Sequence, residues 1–270
     1  MSVSTSGRGT GEKAGRTRAP SAAAVEMRRA YARQGAIGLG LAALVIGGWL
    51  AGHIFGVFFL RLAPPDLYAA PLVIALQTWL DVGLFIIAHD CMHGSLAPFR
   101  PKINLWVGRV ALGLYAAFSY DRLLPKHHDH HRHSGTEGDP DFDADHPDRF
   151  WPWFLRFMRT YFGWREFGIL TAVLAVYILV IGAPVLNVLL FWALPALLSA
   201  LQLFYFGTYL PHRHGEPGFA DKHNARSNEY GYLWSLLTCF HFGYHHEHHE
   251  APFVPWWRLP KYRRETVRPR

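Results

Sequence analysis

The sequence predicts an all-α integral membrane protein, with four transmembrane helices and a cytoplasmic cap rich in histidine. Three observations carry this. Apolar runs at 36–60 and 67–88, and a nearly unbroken one at 167–210, reach the roughly 20 residues a helix needs to cross a bilayer. The 27 Lys and Arg residues are segregated: seven precede the first run, ten fall in 89–166, nine in 211–270, and only Arg61 lies elsewhere. Histidines gather in three clusters next to the apolar runs, at 89–93, 127–131 and 245–249.

Residues 1–34 are rich in Ser, Gly, Ala and Arg without apolar periodicity, which predicts a disordered basic tail. No short apolar core with a cleavage site follows it, so it is not read as a signal peptide. The main domain is expected over 35–262, with a second basic tail at 263–270. Span one covers 36–60, and its lone His53 is read as a packed or solvated residue. A short connection, Arg61–Asp66, contains Pro64-Pro65. Span two runs from Ala69 to Ala88 and delivers His89 to the surface.

Gln77 and Asp81 lie inside span two, where an ionisable group is costly and therefore a functional candidate. Asp81 is eight residues before His89, about 12 Å at 1.5 Å per residue, too far to share a metal with it. It is left with orienting a histidine of another helix or pairing with a polar group elsewhere. Residues 102–119 carry Arg109 mid-segment, which predicts an interfacial or re-entrant helix rather than a span. Trp151, Trp153, Tyr161 and Trp164, interleaved with Arg156, Arg159 and Arg165, predict an interfacial amphipathic segment. Ala183-Pro184 divides the last apolar run into spans at 167–183 and 187–210, because proline ends helices. Residues 232–243 are apolar but too short to span, and Pro255-Trp256-Trp257-Arg258-Leu259 is expected to anchor at the interface.

Basic residues mark the cytoplasmic side, so four spans place both termini and all three clusters inside. Their spread along membrane-flanking segments argues against nucleic acid as the partner and for membrane lipid. Cys91 and Cys239 lack metal-site spacing and are read as packing residues.

The clusters carry the chemistry. His89 and His93 are four apart; His127, His130 and His131 share the His-x-x-His-His spacing of His245, His248 and His249. Residues three and four apart share a helix face, so each cluster aims two or three imidazoles at one place. Imidazole suits iron, zinc and copper. Eight such residues exceed the need of one ion, and two ions in a shared cage fit the count. Structural zinc prefers four closed ligands, often with Cys. The metalloprotease pattern His-Glu-x-x-His is absent from His246-Glu247-His248-His249-Glu250. A haem protein would place axial histidines within the spans, where only His53 lies, and Gln77, Asp81 and Gln202 are too few for a metal-transport path. A non-catalytic metal-binding scaffold has the same spacing. The acidic loop Gly138-Asp139-Pro140-Asp141-Phe142-Asp143 is either a solvated turn or a source of carboxylates that accept from ligand imidazoles, and Asp90 inside the first cluster is a further such candidate. His212, after Pro211 at the end of span four, is a ninth candidate ligand, and His241, one turn before His245, a weaker tenth.

Three histidine boxes at the cytoplasmic ends of four spans resemble the membrane-bound fatty-acid desaturase superfamily. The flanking residues are similar to those of bacterial β-carotene ketolases within it: His89-Asp90-Cys91-Met92-His93-Gly94-Ser95, His130-His131-Arg132-His133-Ser134-Gly135-Thr136, Asp139-Pro140-Asp141-Phe142-Asp143, Leu210-Pro211-His212-Arg213 and His223-Asn224-Ala225-Arg226-Ser227. The stretches Leu201-Gln202-Leu203-Phe204, Leu236–Gly243 and Pro255–Pro260 match too, so the resemblance runs from about 36 to 260. It implies a histidine-rich di-iron cap with two non-haem irons on the nine histidines named, and Asp139 and Asp141 among their supports. It further implies O2 as oxidant, electrons from a ferredoxin-type donor protein, a carotenoid drawn from the bilayer, and residence in a bacterial inner membrane. Two oxidations at C4 of a β-ionone ring, with loss of water, would leave a ketone, giving canthaxanthin from β-carotene and leading hydroxylated rings towards astaxanthin. His128, adjacent to His127, departs from the pattern and could take its place if the helix turned; His133 is left open, and His214 is expected to be spare.

Overall fold

The protein, described over residues 21–266 in a computed structural model, begins with a helix whose first turn Ser21 caps through its side chain, which accepts from the Ala24 N–H at 3.2 Å. This helix, α1 (Ala22–Phe59), already includes residues 22–34, which the composition assigned to an unstructured tail. The reason lies in long-range contacts: Gln34 is buried, and its amide donates to the Ser95 carbonyl at 2.7 Å. Four residues on, Gly38 passes so close to the chain that a Cβ would stand 2.2 Å from the Leu96 carbonyl oxygen. Residues 1–20 of the expected tail, and 267–270 of the C-terminal one, lie outside the described residues.

Helix α2 (Asp66–Met92) packs along α1. Asp81 accepts from the Trp49 indole of α1 at 2.6 Å, and Gln77 donates to the Trp49 carbonyl at 3.3 Å. Asp81 therefore pairs across two spans and does not orient a metal-site histidine. Burying these groups in apolar surroundings requires such partners.

Beyond α2 the chain doubles back. Helix α3 (Pro101–Ala116) runs along α2 and brings Tyr115 to 5.8 Å from Phe85, ring to ring. Ala117, at φ 57°, turns the chain into α4 (Tyr120–His133). The two helices of this hairpin approach through Gly108, where a Cβ would lie 2.2 Å from the Tyr120 ring. Arg109 stays at the surface, 3.1 Å from Asp121. Helix α3 is not among the helices long and apolar enough to cross a membrane, as expected of a segment that carries Arg109.

Helix α5 (Phe150–Tyr161) is amphipathic as expected, but its tryptophans part company. Trp151 is exposed, whereas Trp153 is buried and donates to the Asp141 carbonyl at 2.6 Å. Helices α6 (Trp164–Ile181) and α7 (Val185–His212) are separated by the break at Gly182-Ala183-Pro184. In α7, π-helical turns at Leu189–Ala193 and Phe204–Tyr209 lie just ahead of Pro195 and Pro211. A proline removes a donor and crowds the preceding carbonyl, and the wider turn relieves both. Among the described residues, α1, α2, α6 and α7 are the four helices long and apolar enough to cross a membrane.

Three short helices complete the cap: α8 (Tyr232–Cys239), α9 (His245–Glu250) and α10 (Leu259–Thr266). Trp256, expected at an interface, is buried against Phe240 with ring centroids 5.2 Å apart, and its backbone N–H donates to Asp90 at 3.2 Å. The aromatic segment is core here because it folds back over the end of α2.

Candidate metal centre

Helix spacing on four separate elements builds the site. α2 ends with His89 and leads into His93; α4 contributes His127, His130 and His131; α7 ends with His212; α9 contributes His245, His248 and His249. Their ring nitrogens fall into two groups. His89, His93, His127, His131 and His248 form one; His130, His212, His245 and His249 form the other, and within each group all ligand atoms lie within 4.8 Å of one another. That is the separation expected of imidazoles arranged around a point roughly 2.0–2.1 Å from each nitrogen. Five rings crowd one volume and four the other, adjoining through the His131 and His249 rings, 4.3 Å apart.

The closest approaches bring ring nitrogens together in pairs. His127 Nε2 lies 2.7 Å from His93 Nε2, His212 Nε2 lies 2.8 Å from His245 Nε2, and His248 Nε2 lies 3.1 Å from His131 Nε2. Both ring nitrogens of His89 are buried without any hydrogen-bond partner. Buried polar atoms are almost always satisfied, so these orphaned nitrogens fit metal ligation. Burial, reinforced by neighbouring imidazoles, holds His93, His127, His245, His248 and His249 well below the usual histidine range, in the neutral form that binds metal.

Two of these rings have their Nδ1 fixed by a partner. His130 Nδ1 lies 2.9 Å from Asp139 Oδ2 and 3.8 Å from Asp141 Oδ2. Burial pushes His130 down, but the Asp139 and Asp141 carboxylates outweigh it and hold it above the usual range. Asp139 is itself held by the backbone N–H groups of Gly135 (2.9 Å) and Asp141 (2.8 Å). His212 Nδ1 lies 2.8 Å from the Asn224 carbonyl. An N–H on each Nδ1 leaves Nε2 free for a metal and sets the ring orientation.

The remaining candidates are placed elsewhere. Asp90 Oδ1 is 3.8 Å from His89 Nδ1, beyond hydrogen-bond reach, and its other oxygen holds Trp256. Asp143 faces His146 at 3.3 Å, away from both groups. Asp141 accepts from the Tyr161 hydroxyl, and burial pushes its carboxyl up to about 6. His241 is fully buried among Tyr232, Tyr244 and Trp256 and belongs to neither group, nor do His128, His133 and His214. Asn224, Tyr161 and Glu247 emerge only from the fold. The carbonyl of Asn224 has no side-chain signature, and Tyr161 stands 20 residues from Asp141.

An apolar cavity of about 380 Å³ opens onto His89, His127, His130, His131 and His245. Its wall follows α7 from Leu189 to Thr208, and α6 closes it through Phe167, Leu170 and Leu174. Twenty residues of helix span about 30 Å at 1.5 Å per residue, the thickness of a bilayer's hydrocarbon core.

Fold and site together define a polytopic helical membrane protein with two adjoining histidine cages at the end of a long apolar cavity. The sequence model described as fatty acid desaturase matches residues 65–171 and 159–270, and the chain belongs to that family. It is 52% identical over 229 residues to a protein named beta-carotene ketolase from Paracoccus sp. (strain PC1), covering 84% of this chain and 93% of that protein. It is also 52% identical to a beta-carotene ketolase from Paracoccus sp. (strain N81106 / MBIC 01143), over 81% of this chain and 89% of that one. A zeaxanthin 4-ketolase from Chlamydomonas reinhardtii is 38% identical, over 84% of this chain and 53% of its own length.

Proposed function

We propose that this protein is a carotenoid 4-ketolase, a di-iron oxidoreductase that converts the C4 methylene of a β-ionone ring to a ketone. The cavity carries the reading. It is long, narrow, lined almost wholly by apolar side chains, and ends at both histidine cages. A rod-like hydrocarbon entering between α6 and α7 brings one ring end to the cages and keeps its polyene in apolar surroundings. Its relatives named beta-carotene ketolase support the same substrate class.

The five-imidazole group would hold one iron and the four-imidazole group the other. Both counts leave positions open on a six-coordinate ion, unlike a closed structural zinc site. When bound, the irons supply O2 reduction, and each of two hydroxylations at C4 consumes one O2, two electrons and two protons and yields one water. The chain's own part is to position and exclude. Phe85, Tyr115 and Phe242 wall the cavity beside the cages, so the reacting carbon is held away from water. Asp139 fixes the His130 ring, and the Asn224 carbonyl fixes His212. The hydrated ketone then loses water without needing a further residue. Electrons would come from a ferredoxin-type protein on the cytoplasmic side of a bacterial inner membrane; the segregation of 26 of the 27 basic residues from Arg61 along the sequence supports that side as the docking face.

The test is expression in cells that accumulate β-carotene, with analysis of the pigments. New 4-keto products support the reading. Unchanged β-carotene beside membrane-inserted, iron-loaded protein overturns it, and desaturated or hydroxylated acyl chains would mark a fatty-acyl enzyme instead.

A further inference from the structure

The third histidine box lies on α9, a helix of only six residues. Isolated helices this short do not hold themselves together, and Tyr244, the residue that opens it, offers no side-chain cap. Yet α9 must aim His245 and His249 at one cage and His248 at the other. Something outside the helix has to fix its rotation.

The face turned away from the cages shows what does. Glu247, between the ligands, is only 2% exposed. Its Oε1 accepts from Arg263 Nη1 at 2.5 Å, and its Oε2 accepts from the Ser227 hydroxyl. Ser227 in turn accepts from the His246 backbone N–H at 3.1 Å, so it holds the first turn of α9 as well. Arg263 belongs to α10, in the segment that composition assigns to a basic tail. Its Nη2 donates to Glu229 at 2.6 Å, and its guanidinium lies over the Tyr244 ring at 5.3 Å. The guanidinium thus joins three parts of the chain: α10, the strap that carries Ser227 and Glu229, and the start of α9.

We propose that Arg263 is a positioning residue of the metal centre: through the buried Glu247 carboxylate it sets the rotation of α9 and so the aim of its three ligand histidines. A planar, forked donor suits two carboxylates at once, which an ammonium does not match. The inference rests on the di-iron reading above and concerns only this chain's residues.

Removing one partner of a buried pair leaves an uncompensated charge and destabilises for that reason alone, so the test separates stability from aim. Three variants of the full-length chain are purified in detergent and loaded with iron: R263Q, R263K, and the double variant E247Q/R263Q, which has no buried charge left behind. Iron per protein, the rate of iron loss to a chelator, the spectroscopic signature of the iron pair, and apoprotein melting are measured. Exposed Glu265 of α10, changed to Gln, is the control. The expected result is faster iron loss in R263Q, by tenfold or more, with an altered iron-pair signature. R263K should fall in between, and the double variant should recover melting temperature but not iron retention. Wild-type retention and signature in the double variant, or in R263Q, overturn the proposal. If wild-type protein itself holds no iron pair, it is the di-iron reading that fails.

Discussion

Asp139 holds His130 across 2.9 Å in the protein interior, and two backbone N–H groups, of Gly135 and Asp141, hold Asp139 in turn. The carboxylate accepts three hydrogen bonds while 1% exposed, so its geometry is fixed before any metal arrives. Replacing Asp139 by Asn keeps the size but offers an N–H where an acceptor is needed. We expect iron affinity or ketolase activity to fall about 10–100-fold, as for other partners of metal-bound histidine. Iron titration at matched membrane levels reads the effect, and an unaltered affinity and activity would make the loop a solvated-type turn after all.

Asp141 is a different case from Asp139. It is 3.8 Å from His130, accepts from Tyr161, and its backbone carbonyl accepts from Trp153. Tyr161→Phe removes the hydroxyl that donates to this carboxylate at the cavity wall. Turnover should drop severalfold while iron per protein stays at the wild-type value, since both cages keep their nine rings. Loss of iron together with turnover would place Tyr161 among the supports of the cage rather than beside the substrate.

The cavity makes a geometric prediction. Ala196 lies midway along its α7 wall, between Leu189 and Thr208. An indole at that position fills the channel without touching either cage. Ala196→Trp should lower keto-carotenoid formation by at least tenfold and leave iron content unchanged. Equal product from the variant would show that the polyene takes another path to the histidines.

Topology is tested from outside. Single cysteines placed at 62 or 185 in a background lacking Cys91 and Cys239 should be labelled by an impermeant reagent in intact cells. A cysteine at 137, in the loop after α4, should react only once the membrane is opened. The reverse pattern would invert the assignment drawn from the basic residues.

Legibility followed helix periodicity. Eight of the candidate histidines were readable because spacings of three and four put chemistry on one face, and His212 from its place after Pro211 at the end of the last span; the structure gathers all nine into the two cages. The spans were readable because proline and hydropathy mark their ends. What was not readable depends on contacts distant in sequence. Trp153 and Trp256 have the composition of interface anchors, and only the folding of 140–142 and of the α2 end over them makes them core. Arg263 looked like one more tail charge because its partner, Glu247, lies 16 residues earlier in another element. Asn224 acts through a carbonyl that every residue possesses.

His241 yields the last prediction, because it looks like a ligand and is placed like a core residue. It sits four residues before His245, but its ring packs on Tyr232 at 4.5 Å, outside both cages. Neither ring nitrogen has a partner, and burial pushes it down to about 4. The folded state therefore binds the proton less readily than the unfolded chain, whose histidine titrates near 6.5. His241 contributes nothing to acid sensitivity above about pH 6.5; as pH falls from there towards 4 the unfolded state gains a proton that the fold refuses, and stability declines. Its backbone sits at φ 62°, which asparagine tolerates and most side chains do not. His241→Asn should therefore retain wild-type iron content, and its apoprotein should lose less melting temperature between pH 6.5 and pH 4.5 than the wild-type apoprotein loses. The cage histidines titrate in both proteins, so the difference between the two curves isolates the one ring. Parallel curves would refute the burial argument, and a loss of iron in the variant would return His241 to the metal centre.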